Sequence, residues 1–68
     1  MQITQDVSGR IKTIRKVKKL TQQQMADKLG ITKNHYHLIE SGNYDFKINY
    51  AQKIAEILDI SYRILFEK

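Results

Sequence analysis

Two histidines, His35 and His37, flank Tyr36 in the stretch GITKNHYHLIESG, with Glu40 and Ser41 close behind. Imidazole, carboxylate and hydroxyl are the groups of metal sites and of nucleophilic catalysis, so their spacing matters. Zinc needs three or four convergent ligands. Two ligands on a helix share a face only at i, i+3 or i, i+4. His35 and His37 are two positions apart, about 200° around a helix, and the 68 residues contain no cysteine to complete a set. No metal and no other cofactor is expected. His37 and Ser41 do share a face, as a base and a nucleophile would. Glu40 stands off that face, however, and no oxyanion-hole motif accompanies the pair. An enzyme is therefore not expected. The remaining possibility is a helix whose polar side is presented to another molecule.

The segments around this stretch read as helices. Proline is absent, so nothing forbids helix, and apolar residues recur at helical spacing. Val7, Ile11 and Ile14 predict a first helix from about Gln5 to Lys18, with Thr4 or Asp6 as its cap. Thr21 opens TQQQMADKLG, a capping box in which Thr21 and Gln24 exchange side-chain and backbone bonds. Met25, Ala26 and Leu29 form the apolar face of this second helix, and Gly30 ends it in the left-handed conformation. Thr32 caps a third helix running to about Ser41. Ile48, Ala51, Ile54, Ala55 and Leu58 form the stripe of a fourth helix, and Ser61 caps a final turn carrying Leu65 and Phe66. The expectation is an all-α domain of five short helices without a sheet.

The junction of the second and third helices is the sharpest organisational signal. Leu29 ends one helix, Gly30 turns, Ile31 plugs inward and Thr32 starts the next. A turn this short sets two helices steeply across each other, as in a helix-turn-helix. Close crossing needs a small residue, which Ala26 supplies. Met25, Leu29, Ile31, Tyr36 and Ile39 provide the inward apolar contacts.

Charge is distributed unevenly. The net charge is +5, but residues 1–33 carry eight Lys/Arg against Asp6 and Asp27, while residues 34–68 carry four against five acids. A basic half beside a nearly neutral one points to a polyanion on one side. The plain alternative is a solvated lysine-rich surface, and Lys16, Lys18 and Lys19 are read that way here. No apolar run approaches the roughly 18 residues of a membrane span, and MQITQDVSGR has neither the basic end nor the apolar block of a signal peptide. A cytoplasmic protein is expected.

The chain resembles the Xre/Cro-type helix-turn-helix family, which includes phage repressors. The carriers of the resemblance are GRIKTIRKVKKLTQQQMADKLGITKNHYHLIESG and INYAQKIAEILDISYRILF, above all Arg15, the LTQ of Leu20 to Gln22, Ala26, Gly30 and the IESG of Ile39 to Gly42. Phe46 stands where the family often has proline, and Tyr36 where Ile or Val is commoner. The resemblance implies a compact five-helix λ-repressor-like domain over residues 1–68, with the helix-turn-helix at about 21–41. The C-terminal helices at 47–66 would complete the core and form the dimer contact. It also implies a sequence-specific regulator of transcription that binds double-stranded DNA, usually as a homodimer, with the third helix in the major groove. A repressor on a palindromic operator is the expected form.

The helical wheel agrees with that placement. Thr32, Tyr36, Ile39 and Glu40 point inward, while Leu38 lies about 160° from Tyr36 on the side of Lys33, Asn34, His37 and Ser41. Thr32, Lys33, Asn34, His37 and Leu38 are the expected base contacts: lysine for guanine, asparagine for adenine, leucine for a thymine methyl. His35 is expected to pack at the flank. Phosphate contacts are expected from Gln22, which the resemblance gives a supporting role for the reading helix, and from Ser41, Asn43, Tyr44 and Lys47. Family members join the positions of Arg15 and Glu40 by an ion pair, implied here as a structural tie. Ile57, Tyr62 and Ile64 are apolar residues left over from the core and mark a dimer surface. Other occupations of the same fold remain open: an antitoxin with a toxin partner, a restriction-modification controller, an activator touching RNA polymerase through Asp27, or an interaction module without DNA.

Overall fold

The computed structural model describes residues 5–42 and 47–66. Five helices follow in order: α1 (Gln5–Val17), α2 (Gln22–Leu29), α3 (Lys33–Glu40), α4 (Ile48–Ile57) and α5 (Tyr62–Phe66). No strand occurs among the described residues. Helix α1 begins at Gln5, so Asp6 lies inside it and is not its cap. Thr4 lies outside the described residues.

Local chemistry sets the helix starts. The Thr21 hydroxyl accepts from the Gln24 amide at 3.0 Å, and the Gln24 side chain accepts from the Thr21 amide at 2.8 Å. This closes a reciprocal capping box at α2. Thr32 caps α3 by accepting from the His35 amide at 3.1 Å. The Ser61 hydroxyl accepts from the Arg63 amide at 3.3 Å at the head of α5. Gly30 has φ 72°, the left-handed region that favours glycine.

The core draws on every helix. Val7 and Ile11 from α1, Met25 and Ala26 from α2, and Tyr36 and Ile39 from α3 meet Ala51, Ile54, Ala55 and Leu58 from the α4 segment and Leu65 from α5. Leu29 and Ile31 are half-buried against this cluster. Ile48 departs from the expected α4 stripe, being 43% exposed. It opens the helix, and long helical side chains lean toward the N-terminus, so Ile48 overhangs the end of α4. Two polar ties bind the ends of the chain to the rest. The Ser8 hydroxyl donates to the Ile39 carbonyl at 2.8 Å, fixing α1 to α3. Arg10 donates to the carbonyls of Ile64 and Leu65 at 3.1 and 3.3 Å, holding the end of α5.

Candidate nucleic-acid interface

Helix α3 has a buried side and a free side. Tyr36 and Ile39 are fully buried, and Glu40 is 8% exposed. Lys33, Asn34 and His37 face solvent, with Leu38 among them at 46% exposure. Thr32, inward on the helical wheel, is exposed instead, because as the cap it has extended backbone outside the helix. Ammonium, amide, imidazole, hydroxyl and one branched apolar group therefore share a surface, the chemical variety that base edges in the major groove require.

A buried polar cluster fixes the orientation of this helix. Arg15 Nε donates to Glu40 Oε2 at 2.6 Å, and Arg15 Nη2 to Glu40 Oε1 at 3.2 Å, a two-pronged contact from α1 to α3. Arg15 Nη1 also donates to the Leu20 carbonyl at 2.6 Å, tying in the turn before α2. Gln22 Nε2 donates to Glu40 Oε1 at 3.2 Å. Helices α1 and α2 thus both donate to one carboxylate on α3. Burial raises the Glu40 pKa, but the hydrogen bond from Arg15, then the neighbouring Tyr36 hydroxyl and the Gln22 amide, outweigh it and hold the carboxyl below its ordinary value. The same hydrogen bond raises the Arg15 pKa against the opposing effect of burial. The Tyr36 hydroxyl is buried beside this pair, with no partner in hydrogen-bond geometry but within its electrostatic reach. Burial, and then the neighbouring Glu40 carboxylate, push its pKa above the usual tyrosine range.

The expected phosphate contacts fall on both flanks of α3. Gln22 begins α2 on one side, half-buried through its bond to Glu40. Lys47 is exposed just before α4 on the other. The Ser41 hydroxyl donates to the Leu38 carbonyl at 2.7 Å at the end of α3. Asn43 and Tyr44 lie outside the described residues. His35 is half-buried, and its ring meets Tyr50 of α4 edge to face at 5.5 Å. His35 and His37 therefore occupy different environments. No group of three His, Asp or Glu side chains able to hold a metal gathers among the described residues. Of the three dimer candidates, Ile57 is half-buried against the core, while Tyr62 and Ile64 are 42% and 46% exposed.

Two features of the site were missed in the sequence. Ser8 lies three positions before Ile11 within the α1 apolar stripe, and a small hydroxyl among core residues is a signal that it is buried and bonded. The Gln22–Glu40 bond has no comparable signal, because it spans two helices.

A helix-turn-helix of α2 and α3 in a five-helix, all-α bundle, its third helix presenting a polar face, defines a λ-repressor-like DNA-binding domain. A family profile described as "Helix-turn-helix domain" matches residues 9–68, and the chain belongs to this family, in its Xre/Cro branch. It is 45% identical over 60 residues to the uncharacterized HTH-type transcriptional regulator YqaE of Bacillus subtilis, covering 88% of this chain and 52% of YqaE. The chain therefore spans about half the length of that relative. The restriction-modification controller protein C.AhdI from Aeromonas hydrophila superposes with TM-score 0.83 at 27% identity, over 91% of this chain and 94% of the other. SinR of Bacillus subtilis, the master regulator for biofilm formation, solved in complex with DNA, superposes with TM-score 0.78 at 29% identity, over 90% and 98% of the two chains.

Proposed function

We propose that this protein is a sequence-specific regulator of transcription that lays α3 in the major groove of double-stranded DNA. The observation that carries the reading is the division of α3: Tyr36, Ile39 and Glu40 are held inside, while Lys33, Asn34, His37 and Leu38 stand outside. Thr32, Lys33, Asn34, His37 and Leu38 are the proposed base contacts. Gln22, Ser41, Asn43, Tyr44 and Lys47 are the proposed phosphate contacts. Arg15 and Glu40 hold α3 in register without touching DNA. The working form is a homodimeric repressor on a palindromic operator, joined through Ile57, Tyr62 and Ile64. No described helix is long and apolar enough to cross a membrane, and the proposed place of action is the nucleoid. Control of restriction-modification genes is a second reading, favoured by the near-complete overlay on C.AhdI.

Selection of bound duplexes from a random pool at fixed salt tests this directly. Recovery of a palindrome with half-sites one helical turn apart is the expected result. Recovery of nothing above background would remove the DNA-binding reading and leave an interaction module.

A further inference from the structure

Among the described residues, three helix ends share one geometry. After α1, the Lys19 amide donates to the Lys16 carbonyl at 3.0 Å and the Leu20 amide to the Arg15 carbonyl at 3.1 Å. After α2, Gly30 bonds to Asp27 at 3.2 Å and Ile31 to Ala26 at 3.0 Å. After α4, Asp59 bonds to Glu56 at 3.1 Å and Ile60 to Ala55 at 3.0 Å. Each is a Schellman ending, whose turning residue adopts the left-handed conformation that glycine takes most readily. Only the second uses glycine. Lys19 has φ 61° and Asp59 φ 58°, a conformation disfavoured for any residue with a Cβ. A long cationic side chain at such a position needs a reason.

The surroundings of Lys19 supply one. Lys19 lines an open groove of about 440 Å³ together with Arg15, Lys16, Gln22, Gln23 and Lys33. Arg15 is already occupied by Glu40 and the Leu20 carbonyl. Lys16, Lys19 and Lys33 bring three ammonium groups to one groove at the head of α2, beside the polar face of α3. By sequence, Lys16 and Lys19 are solvated lysines on the first helix. In the fold they share a surface with Gln22, whose amide nitrogen has a second hydrogen beyond the one given to Glu40.

We infer that Lys19, with Lys16 beside it, is a ligand for a DNA backbone phosphate, extending the phosphate contact on the α2 side of the reading helix onto α1 and its terminal turn. This deepens the DNA-binding reading and rests on it. Lys19 holds a cation where a glycine would relieve the backbone, so stability and binding should respond in opposite directions at this residue.

The experiment compares the wild-type chain, Lys19→Gly and Asp59→Gly on a mixed-sequence DNA duplex across a salt series, with thermal melts alongside. Both variants place glycine in a left-handed turn and should melt at or above the wild-type temperature. Lys19→Gly should bind roughly five- to tenfold more weakly at 0.1 M salt, its log–log salt slope reduced by about one. Asp59→Gly should bind like the wild type. Lys16→Ala should lower the slope similarly. Equal affinity and slope for Lys19→Gly and wild type would overturn the inference, as would equal weakening by the two glycine variants, which would trace the effect to the turns. A wild-type chain with no salt-dependent binding is a separate outcome: it removes the DNA-binding reading, and this inference with it.

Discussion

Removing one partner of the Arg15–Glu40 pair leaves the other charge buried and unmatched. That typically costs about 3–5 kcal/mol, against a total stability of about 3–10 kcal/mol for a chain of this length at the usual value per residue. Arg15→Ala is therefore expected to melt well below the wild type by circular dichroism, and an unchanged melting temperature would show the pair to be idle. The double replacement Arg15→Met with Glu40→Leu should recover much of the loss, because an apolar pair leaves no buried charge. The pH dependence has a definite sign. The folded-state pKa of Glu40 lies below its ordinary value, so the stabilisation is complete above about pH 4.3, the unfolded-state pKa. It is lost as pH falls through the lower folded value. Urea melts from pH 6 to pH 3 should therefore show a smaller acid loss in Glu40→Gln than in the wild type. Tyr36 acts on the same carboxylate: its hydroxyl helps to hold the Glu40 pKa down. Tyr36→Phe should accordingly begin its acid loss at a higher pH than the wild type, and an identical acid limb would show the oxygen to be idle.

At the scale of elements, the proposed reading helix, α3, should separate stability from specificity. Asn34 and Leu38 project outward, so Asn34→Ala and Leu38→Ala should change the melting temperature little. In repeated DNA selections, each should relax preference at one position of every half-site, by about 1–3 kcal/mol for a bidentate asparagine. Retention of full selectivity by both variants would move the reading surface off this face. This face was legible in the sequence because helical periodicity and caps are local: Thr21 with Gln24, Gly30 and Thr32 mark the ends of α2 and the start of α3, and Tyr36 and Ile39 set its inward side. What escaped the sequence depends on less local geometry. Lys19 and Asp59 end helices in left-handed turns without the glycine that announces one. Ile48 matches the α4 period yet overhangs the helix end. Lys16 and Lys19 look like solvent-facing charges until the fold sets them beside Gln22 and Lys33.

The dimensions of the whole molecule bear on the number of copies needed. The described residues span 28 Å along their longest axis, less than the roughly 34 Å between equivalent half-sites on one DNA face. On the proposed reading, one protomer presents one α3 to one half-site. Reading a palindrome takes a second copy joined away from the DNA, through a surface that costs little to cover. The α5 end fits these terms. Tyr62 and Ile64 are exposed there, and Tyr62 packs its ring edge to face on Phe66 at 5.6 Å. Arg10 holds this end through the backbone carbonyls of Ile64 and Leu65, so changing the Ile64 side chain leaves that tie intact. On a two-fold axis, Ile64→Asp would place like charges near one another across the contact. The expected outcome is a folded monomer by sedimentation at micromolar concentration, where the wild type is a dimer. It should bind a single half-site like the wild type but lose the extra affinity for the palindrome. Dimers unaffected by Ile64→Asp would move the two-fold contact to another face, and a wild type that stays monomeric even on the palindrome would leave the two half-sites to independent copies.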